Sequence, residues 1–323
     1  MSLGGEHSKS TATYGVAAGP RVLVSGPPRS GTTWIAQGLA EAMGAAYLHE
    51  PDNPDVDPLG WLTVRRHGLC AALEPGDRDD AMETLWDLAF SGGWTKPRID
   101  AVRAGLAMLG VAAAAPLVRG AARATLAMRR HERGAVVVKS VNLAFALDWI
   151  DARYAPAMVL VRRHPLDIVA SWLERGWGFG AHLYADEESR WLARHVSKST
   201  AVPEVPRDPG PAQVAWWIGV LLRVQELAAA AHPAWITISH DQACVDAEGA
   251  FGAALEQLGV KPGPSLRRYI DSTDSYGTAY EVKRNRREQP GSWRKKLTEP
   301  QVTEAVAILR DFRGAGFADR LDS

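Results

Sequence analysis

An apolar strand, a Gly/Pro-rich turn and an amphipathic helix follow one another in VLVSGPPRSGTTWIAQGLAEAMG, residues 22–44. The first N–H groups of a helix have no partner inside it and sit at the positive end of its dipole. Gly31, Thr32 and Thr33 would therefore aim free N–H groups at the turn and form an anion site, with Arg29 inside the turn as the nearby cation. A second group suited to phosphate lies in AMVLVRRHPLDIVASWLERG, where Arg163 and Ser171 stand across a strand end and the second turn of the next helix. A cation and a hydroxyl so placed can share one phosphate; Arg162 is the alternative, since adjacent strand residues face opposite ways. Either residue alone reads as a solvated charge or a helix-face hydroxyl. Near the C-terminus, EVKRNRREQPGSWRKK carries seven basic and two acidic residues, a run that is ordinarily a solvated face. For proton chemistry, YLHEPDNP places His49 and Glu50 at a strand end, on the side of the sheet where the phosphate turn and ligand crevices lie. A Glu before Pro is otherwise a turn residue.

Positioning these residues requires a parallel sheet with helices on both faces, and the chain has that pattern: short apolar runs bounded by turn signals alternate with stretches of helical periodicity. Strands are expected at Arg21–Ser25, Ala45–Leu48, Ala135–Lys139, Ala157–Arg162 and Trp235–Ser239. Helices are expected at Thr32–Met43, Leu143–Arg153, Leu166–Arg175, Ala212–Ala231, Ala247–Leu258 and Gln301–Gly314. A long, mostly helical insertion at about 59–133 separates the second and third strands, and a Pro-rich loop at 201–211 breaks two helical stretches. The fold class is thus α/β with a mainly parallel sheet, in one domain over 21–323 behind a flexible tail at 1–20.

Gly26-x4-Gly31 matches the opening of a P-loop, yet Thr32 stands where nucleotide hydrolysis needs Lys. The later core strands end in Lys139 and in Arg162-Arg163, not in an Asp for magnesium. Both departures count against a kinase or NTPase, which is kept as the alternative together with a non-catalytic nucleotide-binding protein. PRSGTTW instead resembles the 5′-phosphosulfate loop of sulfotransferases that use 3′-phosphoadenosine 5′-phosphosulfate (PAPS). That resemblance implies a P-loop-like sulfotransferase fold, with Arg29 on the bridging oxygen of the leaving phosphate. It further implies that Ser30, Gly31, Thr32 and Thr33 cradle the 5′-phosphate while Trp34 stacks on adenine. Arg163 and Ser171, with Asp167 between them, resemble the family's 3′-phosphate site. The basic loop at about 281–297 resembles the segment that closes over that phosphate, with Arg286, Arg287 and Trp293 as its candidate residues. Glu299 replaces the Val of the family's short dimer motif, so the resemblance fixes no oligomeric state.

VVVKSVNL resembles the family strand whose Lys touches the transferred sulfonate, which assigns that role to Lys139. Two residues later the small-molecule enzymes of the family keep a catalytic His, and this chain has Val141. The base must sit elsewhere or the protein is inactive. Glu50 is the first candidate, because its Glu-Pro pair resembles that of carbohydrate-type and bacterial members; His49 and His182 follow. His164 and His240 read as structural or cofactor-lining. The expected reaction moves a sulfuryl group from PAPS to a hydroxyl, or second an amine, leaving adenosine 3′,5′-bisphosphate and requiring no metal.

The 37 basic and 37 acidic residues cancel, so no global field suggests a nucleic-acid partner. The two cysteines, Cys70 and Cys244, are far apart and fit neither a disulfide scaffold nor a zinc site, which points to a reducing cytosol. The uncharged run Ala104–Val118 has 15 residues and falls short of the roughly 20 apolar residues a spanning helix needs. Residues 98–133 carry seven arginines and two carboxylates. They read as a core helix pair with a basic rim, or as an amphipathic lid near a small-molecule, carbohydrate or glycolipid-like acceptor that touches a membrane surface.

Overall fold

Val, Ile and Leu dominate the central three of five short runs, and side chains branched at Cβ pack well on a pleated surface buried on both faces. These runs form strands β1 (Arg21–Ser25), β2 (Ala46–His49), β3 (Val136–Ser140), β4 (Ala157–Arg162) and β5 (Ile236–Ser239). They make one sheet in the order β2-β3-β1-β4-β5, with every neighbouring pair parallel. The computed structural model describes residues 19–93, 134–178, 202–275, 285–312 and 314–321. The expected strands agree to within one residue at each end. The expectations for nearly all of the tail, for the whole segment 98–133, and for His182 lie outside the described residues.

Helices α1 (Thr32–Met43), α2 (Pro58–His67), α3 (Asp80–Phe90), α4 (Leu147–Tyr154), α5 (Pro165–Leu173) and α6 (Pro211–Ala231) alternate with the strands. After β5 come α7 (His240–Val245), α8 (Ala247–Gln257), α9 (Ser265–Thr273), α10 (Trp293–Lys296) and α11 (Glu299–Arg310). The pleat sends alternate residues of β1 to opposite layers. Val22 and Val24 join Ile35 and Leu39 of α1 with Phe251 of α8 and Ile270 of α9. Leu23 joins Leu85 and Trp86 of α3 and Ile150 of α4. A third cluster packs α6 against α5 and α11, with Trp217, Leu166 and Phe312 at its centre. A Cβ at Gly219 of α6 would lie 2.4 Å from the Phe312 ring, so this approach requires glycine.

One difference from the sequence reading has a local cause. The helix expected from Leu143 begins at Leu147, because the Ser140 hydroxyl accepts the Asn142 N–H and Ala146 turns back onto the Leu143 carbonyl. Helix α6 has the length and apolarity of a membrane span, yet 61% of that stretch is buried within the fold. The strand order reverses about β1, and in sheets of this kind ligands bind beyond the carboxyl ends of the strands at that point.

Candidate active site

The turn between β1 and α1 is held from several sides. Ser30 N–H donates to the Pro27 carbonyl at 3.1 Å, Trp172 Nε1 to the Pro28 carbonyl at 3.2 Å, and Arg163 Nη1 to the Arg29 carbonyl at 2.9 Å. Arg29 and Gly31 have φ of 75° and 90°. At Gly31 a Cβ would fall 2.1 Å from Cδ2 of His240, so close packing and backbone conformation both demand glycine. Gly31 caps α1 with no side-chain bond, and Ile35 N–H is the one that returns to the Gly31 carbonyl. The preceding N–H groups therefore face the turn as an anion cradle. Ser30 Oγ lies buried there without a hydrogen-bond partner.

Parallel pairing sets His49 of β2 opposite Lys139 of β3, and Glu50 N–H extends the ladder by donating to the Lys139 carbonyl at 2.7 Å. Glu50 turns away with φ of 44°, and its Oε1 pairs with Lys139 Nζ while Asn53 Nδ2 donates to Oε2. Lys139 is 3% exposed. Burial pushes the Glu50 carboxyl up, but the Lys139 and His49 charges and the bonds from Lys139 and Asn53 outweigh it and hold it below its ordinary value. Burial lowers the Lys139 ammonium against the opposing pull of Glu50. Burial and the Lys139 charge lower the His49 imidazole, whose Nδ1 meets the Tyr47 hydroxyl at 2.8 Å. Asp52, which the sequence reading passed over, is 5% exposed and accepts from Ser140 Oγ. Burial pushes its carboxyl up to about 7.

A cavity of about 750 Å³ collects Arg29, Gly31, Thr32, Thr33, Trp34, Glu50, Lys139, Arg163 and Arg286. His49, Val141 and His240 also line it. Arg163 Nε and Arg286 Nε are buried without hydrogen-bond partners. Arg286 is oriented by Asp274, which accepts its N–H at 3.0 Å and its Nη2 at 2.9 Å. Trp34 is 7% exposed, and its Nε1 donates to Thr273 Oγ1 at 3.0 Å. Leu69, Cys70, Trp172, Trp177, Trp217 and Leu221 give the cavity an apolar wall.

Four sequence candidates sit differently. Ser171 Oγ accepts from Arg29 Nε at 3.0 Å and does not itself line the cavity. Arg162 is likewise off the cavity, as the strand alternation requires. Arg287 is exposed and away from it. Trp293 stacks on His164 at 5.8 Å and borders a separate cavity with Leu166 and Val302. The reason is Asp167, 1% exposed, which accepts Gly291 N–H, Ser292 Oγ and Trp293 N–H, each at 2.9 Å. Asp167 thus anchors the C-terminal segment. No sequence signal marks Asp274, which holds Arg286 from outside the cavity, or Gln289, which lines it, because both act only through tertiary contact.

No family model matches the chain, and no curated protein sequence does. Among solved structures, it is similar to a mouse sulfotransferase in complex with PAP at 13% identity, covering 94% of this chain and 87% of that one, with a TM-score of 0.45. It is similar to the sulfotransferase domain of the Synechococcus PCC 7002 olefin synthase at 13% identity, covering 91% and 94%, with a TM-score of 0.43. It is also similar to sulfotransferase STF1 of Mycobacterium tuberculosis H37Rv at 17% identity, covering 86% and 78%, with a TM-score of 0.38. The functional reading is carried by the residues of the cavity and not by these likenesses.

Proposed function

We propose that the chain is a sulfotransferase that moves a sulfuryl group from PAPS to an acceptor hydroxyl, with an amine as the second choice. The observation that carries this reading is the Arg29–Thr33 cradle opening into the same cavity as the Glu50–Lys139 pair. The unpartnered buried Ser30 Oγ, Arg163 Nε and Arg286 Nε fit a ligand with phosphates at two places. Buried donors left unpaired cost roughly 1–3 kcal/mol each, which a bound anion would remove. Ser30 and Gly31–Thr33 would hold the 5′-phosphate, Trp34 would meet the adenine, and Arg163 and Arg286 would hold the 3′-phosphate.

In the reaction the acceptor oxygen forms a bond to sulfur as the bond from sulfur to the phosphate oxygen breaks. The acceptor proton goes to the Glu50 carboxylate. Arg29 neutralises charge on the leaving phosphate, and Lys139 does so on the sulfuryl oxygens. Glu50 is ionised but weakly basic while Lys139 holds it, and its basicity rises as Lys139 turns to the sulfuryl group. The apolar wall favours an acceptor with a hydrophobic body, either a small molecule or the lipid part of a glycolipid. The two cysteines are buried and not joined in a disulfide, which supports a reducing compartment. A nucleotide kinase is disfavoured by Thr32 in the Lys position and by cations at the ends of β3 and β4. Incubation with PAPS and a panel of alcohols, read by mass spectrometry, should give sulfated products and adenosine 3′,5′-bisphosphate in equal amounts. Release of neither would refute the reading.

A further inference from the structure

Two residues beyond Glu50 lies a second buried carboxyl, Asp52, that the proposed reaction does not use. Asp52 shares the loop that follows β2, and that loop is docked on the end of β3 at two points. Glu50 N–H reaches the Lys139 carbonyl, and Ser140 Oγ reaches Asp52 Oδ2. Ser140 is fully buried and also receives the Asn142 N–H at 3.1 Å, so the hydroxyl that holds Asp52 is itself fixed. Asp52 Oδ1 is buried with no partner. A buried carboxyl with an unmet acceptor destabilises a fold unless something uses its charge. The charged groups that face it are Glu50, from the same loop, and Lys139, from β3.

Transfer changes the charge around Lys139. Before it, Glu50 balances the ammonium; once Glu50 has taken the acceptor proton it is neutral, and Lys139 is left buried without that counter-ion. We propose that Asp52 is a positioning residue, the counter-ion that keeps Lys139 protonated on the sulfuryl oxygens while Glu50 carries the acceptor's proton. The inference rests on the sulfotransferase reading. Two physical consequences follow. The Asp52 carboxylate raises the Lys139 ammonium, so removing it lowers Lys139. Because burial raises Asp52 to about 7 from 3.8, the folded protein binds more protons than the unfolded chain between those values. Stability therefore falls as pH rises through that window, and the ionised carboxylate above it is a net cost to the fold.

The test compares the full-length wild type with Asp52→Asn and Ser140→Ala, with adenosine 3′,5′-bisphosphate as the binding probe. In Asp52→Asn the Lys139 midpoint, followed by nitrogen NMR of labelled lysine, should drop by on the order of one pH unit. The alkaline limb of kcat should move down by the same amount. KM for PAPS and affinity for the probe should stay near wild type. The variant should also melt higher than wild type at pH 8, with the gain fading towards pH 5, whereas a merely structural Asp52 would make it melt lower. Ser140→Ala removes the donor that favours the Asp52 carboxylate, so it should shift Lys139 in the same direction by less. An unchanged Lys139 midpoint in both variants overturns the inference. Should Lys139 move although no sulfuryl transfer is found in wild type, the electrostatic role stands and the sulfotransferase reading falls. Transfer with an unmoved Lys139 sinks the Asp52 role alone.

Discussion

Glu50 and Arg29 are two of the three non-glycine residues with positive φ among those described. Such conformations cost of order 1–3 kcal/mol each and persist where surrounding contacts over-determine them. Here the surroundings are the Lys139 pair on one side and Ser171 with Arg163 on the other. Glu50→Gln should lower turnover by about 10²–10⁴, as expected when a general base is lost. It should also destabilise, because Lys139 keeps its burial and loses its partner; breaking a buried pair from one side costs roughly 3–5 kcal/mol. Glu50 has a depressed value, so its contribution to stability is present above the ordinary carboxylate range and lost as pH falls through its folded value. The gap in melting temperature between wild type and Glu50→Gln should therefore narrow in acid. Adding Lys139→Met should recover most of the melting temperature and none of the turnover. Near-normal turnover in Glu50→Gln would exclude the base role and move attention to His49. The pair itself was not legible in the sequence. Glu50 and Lys139 are 89 positions apart, and only the register of β2 on β3 brings them together.

At the scale of elements, the turn after β1, α1 and the five strands were legible because each is a local pattern of apolar run, turn residue and periodicity. The C-terminal basic loop was only partly so. Its charge is visible in the chain, but which residues face the cavity depends on Asp167 of α5, which ties Gly291–Trp293 down and leaves Trp293 against His164. Hydrogen bonds to a buried carboxylate are worth about 1.5–3 kcal/mol each. Asp167→Asn should therefore speed amide exchange across residues 291–296 and weaken binding of adenosine 3′,5′-bisphosphate through the displaced Arg286. Unchanged exchange in that segment would show that Asp167 is not its anchor. Gly31→Ala should abolish nucleotide binding, since the added methyl meets His240 and a left-handed backbone together.

At the scale of the molecule, α6 shows how a composition signal is resolved by packing. Its apolar stretch would fit a bilayer, but Val214, Trp217, Leu221 and Val224 are buried against α5 and α11. Vesicle flotation on neutral lipid should leave the protein unbound, and stable flotation would contradict the packing assigned to α6. The central claim is that the basic side of the cavity takes a nucleotide with phosphates at both 5′ and 3′ positions, beside the apolar wall proposed for the acceptor. Calorimetric titration tests it most directly, with adenosine 3′,5′-bisphosphate and 5′-AMP on the wild type and on Arg163→Ala. Charge-assisted bonds to the extra phosphate should give the wild type a preference of roughly ten- to a hundredfold for the bisphosphate, lost in the variant. Equal affinity of the wild type for the two nucleotides would contradict the account.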